Sequence, residues 1–183
     1  MKLLVTGFGS FGTVTENPSA VLARACGRES RILEVSYAEV SRFLNSQEAL
    51  FAPAFLFMGV ATNRTKITPE LFARNHRGDK KDVRGEALFG LIEEHGPLLV
   101  PATIWKSEDL ADWSEHLPVH PSLDAGNYLC NDLAYRALRK FPEKPIGFLH
   151  VPPFDALDLA TQSSVLQRIL ARLEAGEGHN LSP

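Results

Sequence analysis

The chain has 183 residues, 44% of them hydrophobic and 22% charged, which is globular composition and excludes a disordered chain. Nineteen Lys and Arg against 22 Asp and Glu leave a formal charge of −3, so no general attraction to nucleic acid or anionic membrane is expected. Two cysteines, Cys26 and Cys130, are too few for a disulfide scaffold, and no CxxC pair offers a zinc or redox site. Lys2 precedes only a three-residue apolar run, far short of a secretory signal. The longest apolar stretch, Phe51 to Ala61, is broken by Pro53 and cannot span a bilayer. A reducing cytoplasm is the expected compartment.

In chain order, Lys2–Thr6 reads as a buried strand ending at the turn Gly7-Phe8-Gly9-Ser10-Phe11-Gly12. Asn17 suits a helix cap and Pro18 the first helical position, where its missing N–H costs nothing. Arg31–Val35 is a second strand, Ala38–Leu50 one helix and Phe55–Val60 a third strand, apolar throughout as when both faces are covered. Ile67–Asn75 reads as one strand, His76–Glu86 as a polar loop and Leu98–Thr103 as a strand. Ser107 is expected to cap a helix to about Glu115. A helix from Asp124 or Ala125 to Lys140, a strand over Pro145–Val151 and an amphipathic helix over Leu157–Glu174 complete the pattern. The alternation predicts a three-layer α/β/α sandwich around a mostly parallel sheet, mixed if Ile67–Asn75 pairs antiparallel. Residues 1–175 make one domain, and 176–183 read as a flexible tail.

The glycine turn spells GxGxxG after a strand, with Glu34 lying 22 residues beyond Gly12, superficially a dinucleotide fingerprint. Five residues, Thr13 to Asn17, separate the turn from its helix, and two phenylalanines would crowd a pyrophosphate. His116 and His120 have helical metal-ligand spacing, but Pro118 lies between them and no third ligand is evident, so two surface histidines are expected. Cys130 lies near the first turns of a helix, where the dipole and free N–H groups favour thiolate and can stabilise an oxyanion. His150 ends an apolar strand and is placed to serve as its base. Read from the residues alone, a buried structural cysteine and a satisfied core histidine are the favoured reading, since a free cysteine is commonly just a small buried hydrophobe.

Three blocks resemble pyroglutamyl peptidase I, a family of cytosolic cysteine peptidases. The first is Thr6-Gly7-Phe8-Gly9-Ser10-Phe11-Gly12 with Asn17-Pro18-Ser19. The second runs from Gly59 through Ile67-Thr68-Pro69-Glu70 to Ala73 and Asn75. The third is Ser122-x-Asp124-Ala125-Gly126-x-Tyr128-x-Cys130-Asn131, followed by Phe148-Leu149-His150-Val151-Pro152. The resemblance implies a Cys130 nucleophile, a His150 base and a Glu70 that orients the imidazole. It implies that Phe8 and Phe11 hold a flat lactam ring, that Asn17 supports their pocket, and that the Cys130 backbone N–H donates to the oxyanion. The substrates would be peptides with N-terminal pyroglutamate, no metal or organic cofactor would be needed, and a homo-oligomer, dimer or tetramer, is expected. A catalytically inactive relative that binds pyroglutamyl termini is the alternative. The chain departs from the family pattern at Ser10, where proline is usual, at Thr62, and at Leu71-Phe72 after Glu70. Where the family carries an arginine tied to the oxyanion, Lys80 stands at the equivalent offset, with Lys81 and Arg84 as further candidates.

Overall fold

A computed structural model describes residues 1–176, so of the expected tail only Gly176 is included and 177–183 lie outside the described residues. Strands β1 (Leu4–Phe8), β2 (Ser30–Leu33), β3 (Phe55–Val60) and β7 (Ile146–Val151) form the parallel part of a five-stranded sheet. Strand β4 (Thr68–Glu70) joins its edge antiparallel to β7, giving the order β2-β1-β3-β7-β4. The sheet is therefore mixed. A separate two-stranded sheet pairs β5 (Phe72–Arg74) with β6 (Leu99–Pro101). Helices α2 (Tyr37–Leu44), α3 (Gln47–Phe51) and α5 (Leu129–Lys140) cover one face, while α1 (Pro18–Ala25), α4 (Ser107–His116) and α6 (Leu159–Ala175) cover the other.

The period of two along each strand builds these two cores. Phe55 and Phe57 of β3 enter the α2/α5 core, and Leu56 and Met58 enter the α1/α6 core. In β7, Ile146 and Phe148 face α5, so His150 inherits the same face, where α5 begins. Asn17 caps α1 as expected, its side chain accepting from the Ser19 N–H, with Pro18 at the first position.

Local chemistry moves several boundaries. The first strand extends past Thr6 to Phe8, because Gly7 lets α1 lie on it: a Cβ there would sit 2.3 Å from the Ser19 carbonyl oxygen. The single helix expected over Ala38–Leu50 is two, since extended Ser46 uses its hydroxyl to cap α3 at the Ala49 N–H and to donate to the Phe43 carbonyl. Ile67–Asn75 breaks at Leu71 into β4 and β5, which belong to different sheets. The Leu98–Thr103 run contributes only β6, outside the central sheet. Ser107 is not the cap of α4; Lys106 is, without a side-chain bond, and Glu108 and Asp109 supply the first-turn negative charge. The helix expected from Asp124 or Ala125 starts at Leu129. Ser122 and Asp124 fold the chain into side-chain-bonded turns, and Gly126 at φ +80° cannot belong to a right-handed helix. Among the described residues no helix is long and apolar enough to cross a membrane.

Candidate active site

The late start of α5 makes Cys130 its second residue, half-buried at the helix N-terminus. The first-turn N–H groups of a helix have no intrahelical partner, and the N-cap residue Tyr128 makes no side-chain cap bond. Those donors are left facing a cleft of about 660 Å³ whose walls include Phe8, Phe11, Lys80, Tyr128, Cys130 and His150. The cleft lies at the carboxyl ends of β1, β3 and β7, where open α/β sheets place their sites.

His150 reaches this cleft from β7, and Glu70 stands behind it on β4. The antiparallel register sets Thr68 opposite His150 and Glu70 opposite Phe148. Nδ1 of His150 lies 2.7 Å from Oε1 of Glu70, and both residues are buried. Burial alone would pull the imidazole pKa down. The charge and hydrogen bond of Cys130, followed by the hydrogen bond and charge of Glu70, outweigh it and hold His150 at about 9. These partners favour the imidazolium, held between sulfur and carboxylate.

The glycine turn forms another wall. Phe8 is buried in the α2/α5 core and Phe11 is partly exposed beside it. Asn17 lines the cleft, but its polar atoms serve the chain: Nδ2 donates to the Gly9 carbonyl, and Oδ1 accepts from the N–H and hydroxyl of Ser19. It holds the shape of the turn that presents the two rings. Glu34 does not wait for a ribose, because it pairs with Arg84.

The 76–86 loop is tied down over this wall. Arg77 pairs with fully buried Asp132 of α5 at 2.6 Å, and the Tyr128 hydroxyl donates to the Lys81 carbonyl. Buried Asp82 accepts from the backbone N–H groups of Tyr37, Arg84 and Glu86. Removing these acceptors should show directly: Asp82→Ala is expected to lower stability by about 2–3 kcal/mol, read as a fall in denaturation midpoint, because three N–H groups lose a charged partner. An unchanged midpoint would mean that water replaces the carboxylate fully. Of the three basic candidates in this loop, the structure brings only Lys80 to the cleft. Its Nζ lies 4.7 Å from the Tyr128 ring centroid and 5.2 Å from that of Phe11, a cation–π arrangement. His116 and His120 are exposed, and among the described residues no group of three or more ligating side chains could hold a metal.

Two further contributors have no role assigned from the sequence, although Gly59 opens the second motif block. Gly59 of β3 is paired in register with His150, and a Cβ built on it would lie 2.6 Å from Cys130 Sγ. Its missing side chain is the slot that the sulfur fills. Arg64, in the loop after β3, places Nη2 3.1 Å from Glu70 Oε1. Its only sequence signal is a basic residue just beyond the carboxyl end of a buried strand.

An α/β sandwich with thiol, imidazole and carboxylate converging at the carboxyl ends of its strands is the layout of a cysteine peptidase. The chain belongs to the pyroglutamyl peptidase family, whose model matches residues 1–177. It is 32% identical to pyrrolidone-carboxylate peptidase 1 of Saccharolobus solfataricus, over 90% of this chain and 85% of that one. It is also 32% identical to the pyrrolidone-carboxylate peptidase of Streptococcus pneumoniae, over 83% and 78%. Among solved structures, the pyrrolidone carboxyl peptidase of Thermus thermophilus superposes with a TM-score of 0.80 at 34% identity, covering 92% of this chain and 98% of that one. That of Fervidobacterium islandicum shares the fold, with a TM-score of 0.84 at 23% identity over 95% and 98%.

Proposed function

We propose that this chain, as one α/β domain over residues 1–175, removes N-terminal pyroglutamyl residues from peptides through a thioester on Cys130. The observation that carries the reading is the order Cys130, His150, Glu70, with the thiol at an uncapped helix N-terminus and the imidazole held 2.7 Å from a buried carboxylate. The Cys130 sulfur attacks the pyroglutamyl carbonyl carbon. The carbonyl oxygen becomes an oxyanion facing the first N–H groups of α5, Cys130 N–H among them. When the C–N bond breaks, His150 gives its proton to the departing amine. Water then attacks the thioester, passing a proton to His150, and the released sulfur regains its partner. Phe8, Phe11 and Tyr128 hold the flat lactam by stacking and edge contacts, with Asn17 fixing the turn. Lys80, beside these rings, is the second donor to the oxyanion. The chemistry uses side chains and backbone alone, so no metal or organic cofactor enters.

The same reading makes the protein a cytoplasmic enzyme, consistent with two free cysteines. Its acidic balance gives no basis for nucleic-acid or membrane partners. A homo-oligomer, dimer or tetramer, is supported by Phe89, Leu91, Leu98, Leu99 and Leu123, all exposed apolar residues. The test is release of a fluorophore from a pyroglutamyl amide under reducing conditions. Turnover supports the peptidase. Saturable binding without turnover would instead establish an inactive relative that only captures pyroglutamyl termini.

Glu70→Gln should lower kcat by about 10²–10⁴-fold, less than loss of the nucleophile, because an orienting group is worth less than the reacting one. The alkaline limb of the rate profile should also move down. Glu70 favours imidazolium, so its loss lowers a His150 pKa now near 9 toward the ordinary value. An unmoved limb would show that Glu70 does not set the ring's charge.

A further inference from the structure

We propose that Arg64 is a positioning residue for the peptidase relay, clamping the Glu70 carboxylate and the turn that feeds the Cys130 helix with a single guanidinium. This rests on the reading of Cys130, His150 and Glu70 given above. Nη2 of Arg64 lies 3.1 Å from Glu70 Oε1, the oxygen that also holds His150 Nδ1 at 2.7 Å. The other carboxylate oxygen, Oε2, is buried and has no hydrogen-bond partner among the described residues. A carboxyl held through one oxygen by one donor is loosely fixed, because its terminal torsion is broad. A guanidinium charge beside that same oxygen favours turning it, rather than Oε2, toward the ring.

The clamp has a second jaw. The same Nη2 donates to the Ser122 hydroxyl at 3.1 Å and to the Asp124 carbonyl at 3.0 Å. Ser122 Oγ in turn accepts from the Asp124 N–H, and these residues form the turn running into Gly126 and the start of α5. The carboxylate on β4 and the thiol on α5 come from different elements, and Arg64 references both to one point.

Its charge acts as well. A guanidinium keeps its proton throughout the working pH range. Beside Glu70 it opposes the imidazolium. The groups around His150 are Cys130 from α5, Glu70 from β4 and Arg64 from the loop after β3, with Lys80 and Asp124 on the same cleft. Removing the Arg64 charge takes an opposing cation away from the imidazolium, so the alkaline limb of the rate profile moves to higher pH. Arg64 is about one quarter exposed, which limits the shift through solvent screening.

The experiment compares the parent with Arg64→Gln and Arg64→Lys. It measures kcat and KM on a pyroglutamyl fluorogenic amide from pH 5 to 10, alkylation by iodoacetamide over the same range, and melting temperature. Cys26 is 1% exposed, so the alkylation reports Cys130. Arg64→Gln should lower kcat about 10–100-fold with KM changed by less than about threefold, since misplacement of reacting groups acts on the chemical step. The alkaline limb of its rate profile should move to higher pH. Arg64→Lys, which keeps the charge but not the guanidinium bonds to Ser122 and Asp124, should restore that limb and only part of kcat. A kcat loss that tracks melting temperature, with an unmoved alkaline limb in both variants, would reduce Arg64 to a structural tie. A change confined to KM would make it a substrate contact. In either case the proposal is overturned. A parent that alkylates rapidly and turns over, beside an Arg64→Gln that matches it, sinks the role of Arg64 alone. A parent that does neither sinks the peptidase reading and this proposal with it.

Discussion

Cys130→Ala is expected to reduce pyroglutamyl amide hydrolysis to background, a loss on the order of 10⁴–10⁶-fold, while the protein still folds. The size follows from the cleft. Its other hydroxyl-bearing wall residues are Thr62 and Tyr128, and neither is paired with the imidazole. The Tyr128 phenol is pushed up to about 12, chiefly by burial, so it stays protonated and donates to the Lys81 carbonyl. No second nucleophile stands ready. The fold tolerates the change because Cys130 is only half-buried and alanine is the best helix former, so the stability change should stay within about 0.5 kcal/mol. Cys130→Ser should be nearly as inactive, since an alcohol ionises far less readily than a thiol. The substitution has a second readout. Cys130 is the leading influence raising the His150 pKa, so in Cys130→Ala the ring should titrate well below about 9 by NMR. A variant that kept parental turnover would remove Cys130 from the mechanism. One whose histidine still titrated near 9 would show that Glu70 alone charges the ring.

Much of the central sheet was legible because each strand is a short apolar run with a clear end. Phe55–Val60 was located to the residue, since no polar side chain interrupts it and Pro53 stops it from behind. Asn17-Pro18 marked its helix start for the same local reason. The boundaries that moved were decided by competition among short polar side chains. Ser46 splitting a helix and Ser122-Asp124 delaying another are hydrogen-bond choices that periodicity does not register. The site divides similarly. Cys130 and His150 carry chemistry that their residue types announce, yet composition left a buried thiol and a core histidine open, and only the motif blocks ranked them. Glu70 meets His150 because β4 reverses direction and pairs with β7; the sequence offers antiparallel pairing of this segment as an option, but neither its partner nor the break at Leu71. The roles of Gly59 and Arg64 are hidden for a deeper reason. Gly59 opens a motif block, yet it acts by lacking an atom, and Arg64 acts by touching residues distant in sequence; neither role leaves a local pattern.

Gly59→Ala is expected to lower kcat by about 10²-fold or more with only a modest loss of stability. The added methyl would lie 2.6 Å from Cys130 Sγ and 3.0 Å from Phe148 Cζ, so something must move. Gly59 is held in the sheet by pairing with His150, and Phe148 is packed in the core. The sulfur is the freest of the three, being the end of a short side chain with one rotatable torsion. It therefore swings aside, and the strain on the fold stays at about 1 kcal/mol or somewhat more, the low end for overpacking. Swinging aside is what catalysis cannot tolerate. The sulfur leaves the imidazole, and a displacement of about 1 Å from the attacking position is enough to cost two orders of magnitude. The imidazole should respond too: with its leading charged partner moved away, the His150 pKa falls and the alkaline limb of any residual activity moves down. Kinetics, melting temperature and iodoacetamide reactivity of the variant decide the matter together. A large kcat loss with a nearly parental melt places the effect on the sulfur. Equal losses in activity and stability would place it on Phe148 and the core. Parental kcat would mean that the slot between β3 and β7 has slack, and that the position of the thiol is set by α5 alone.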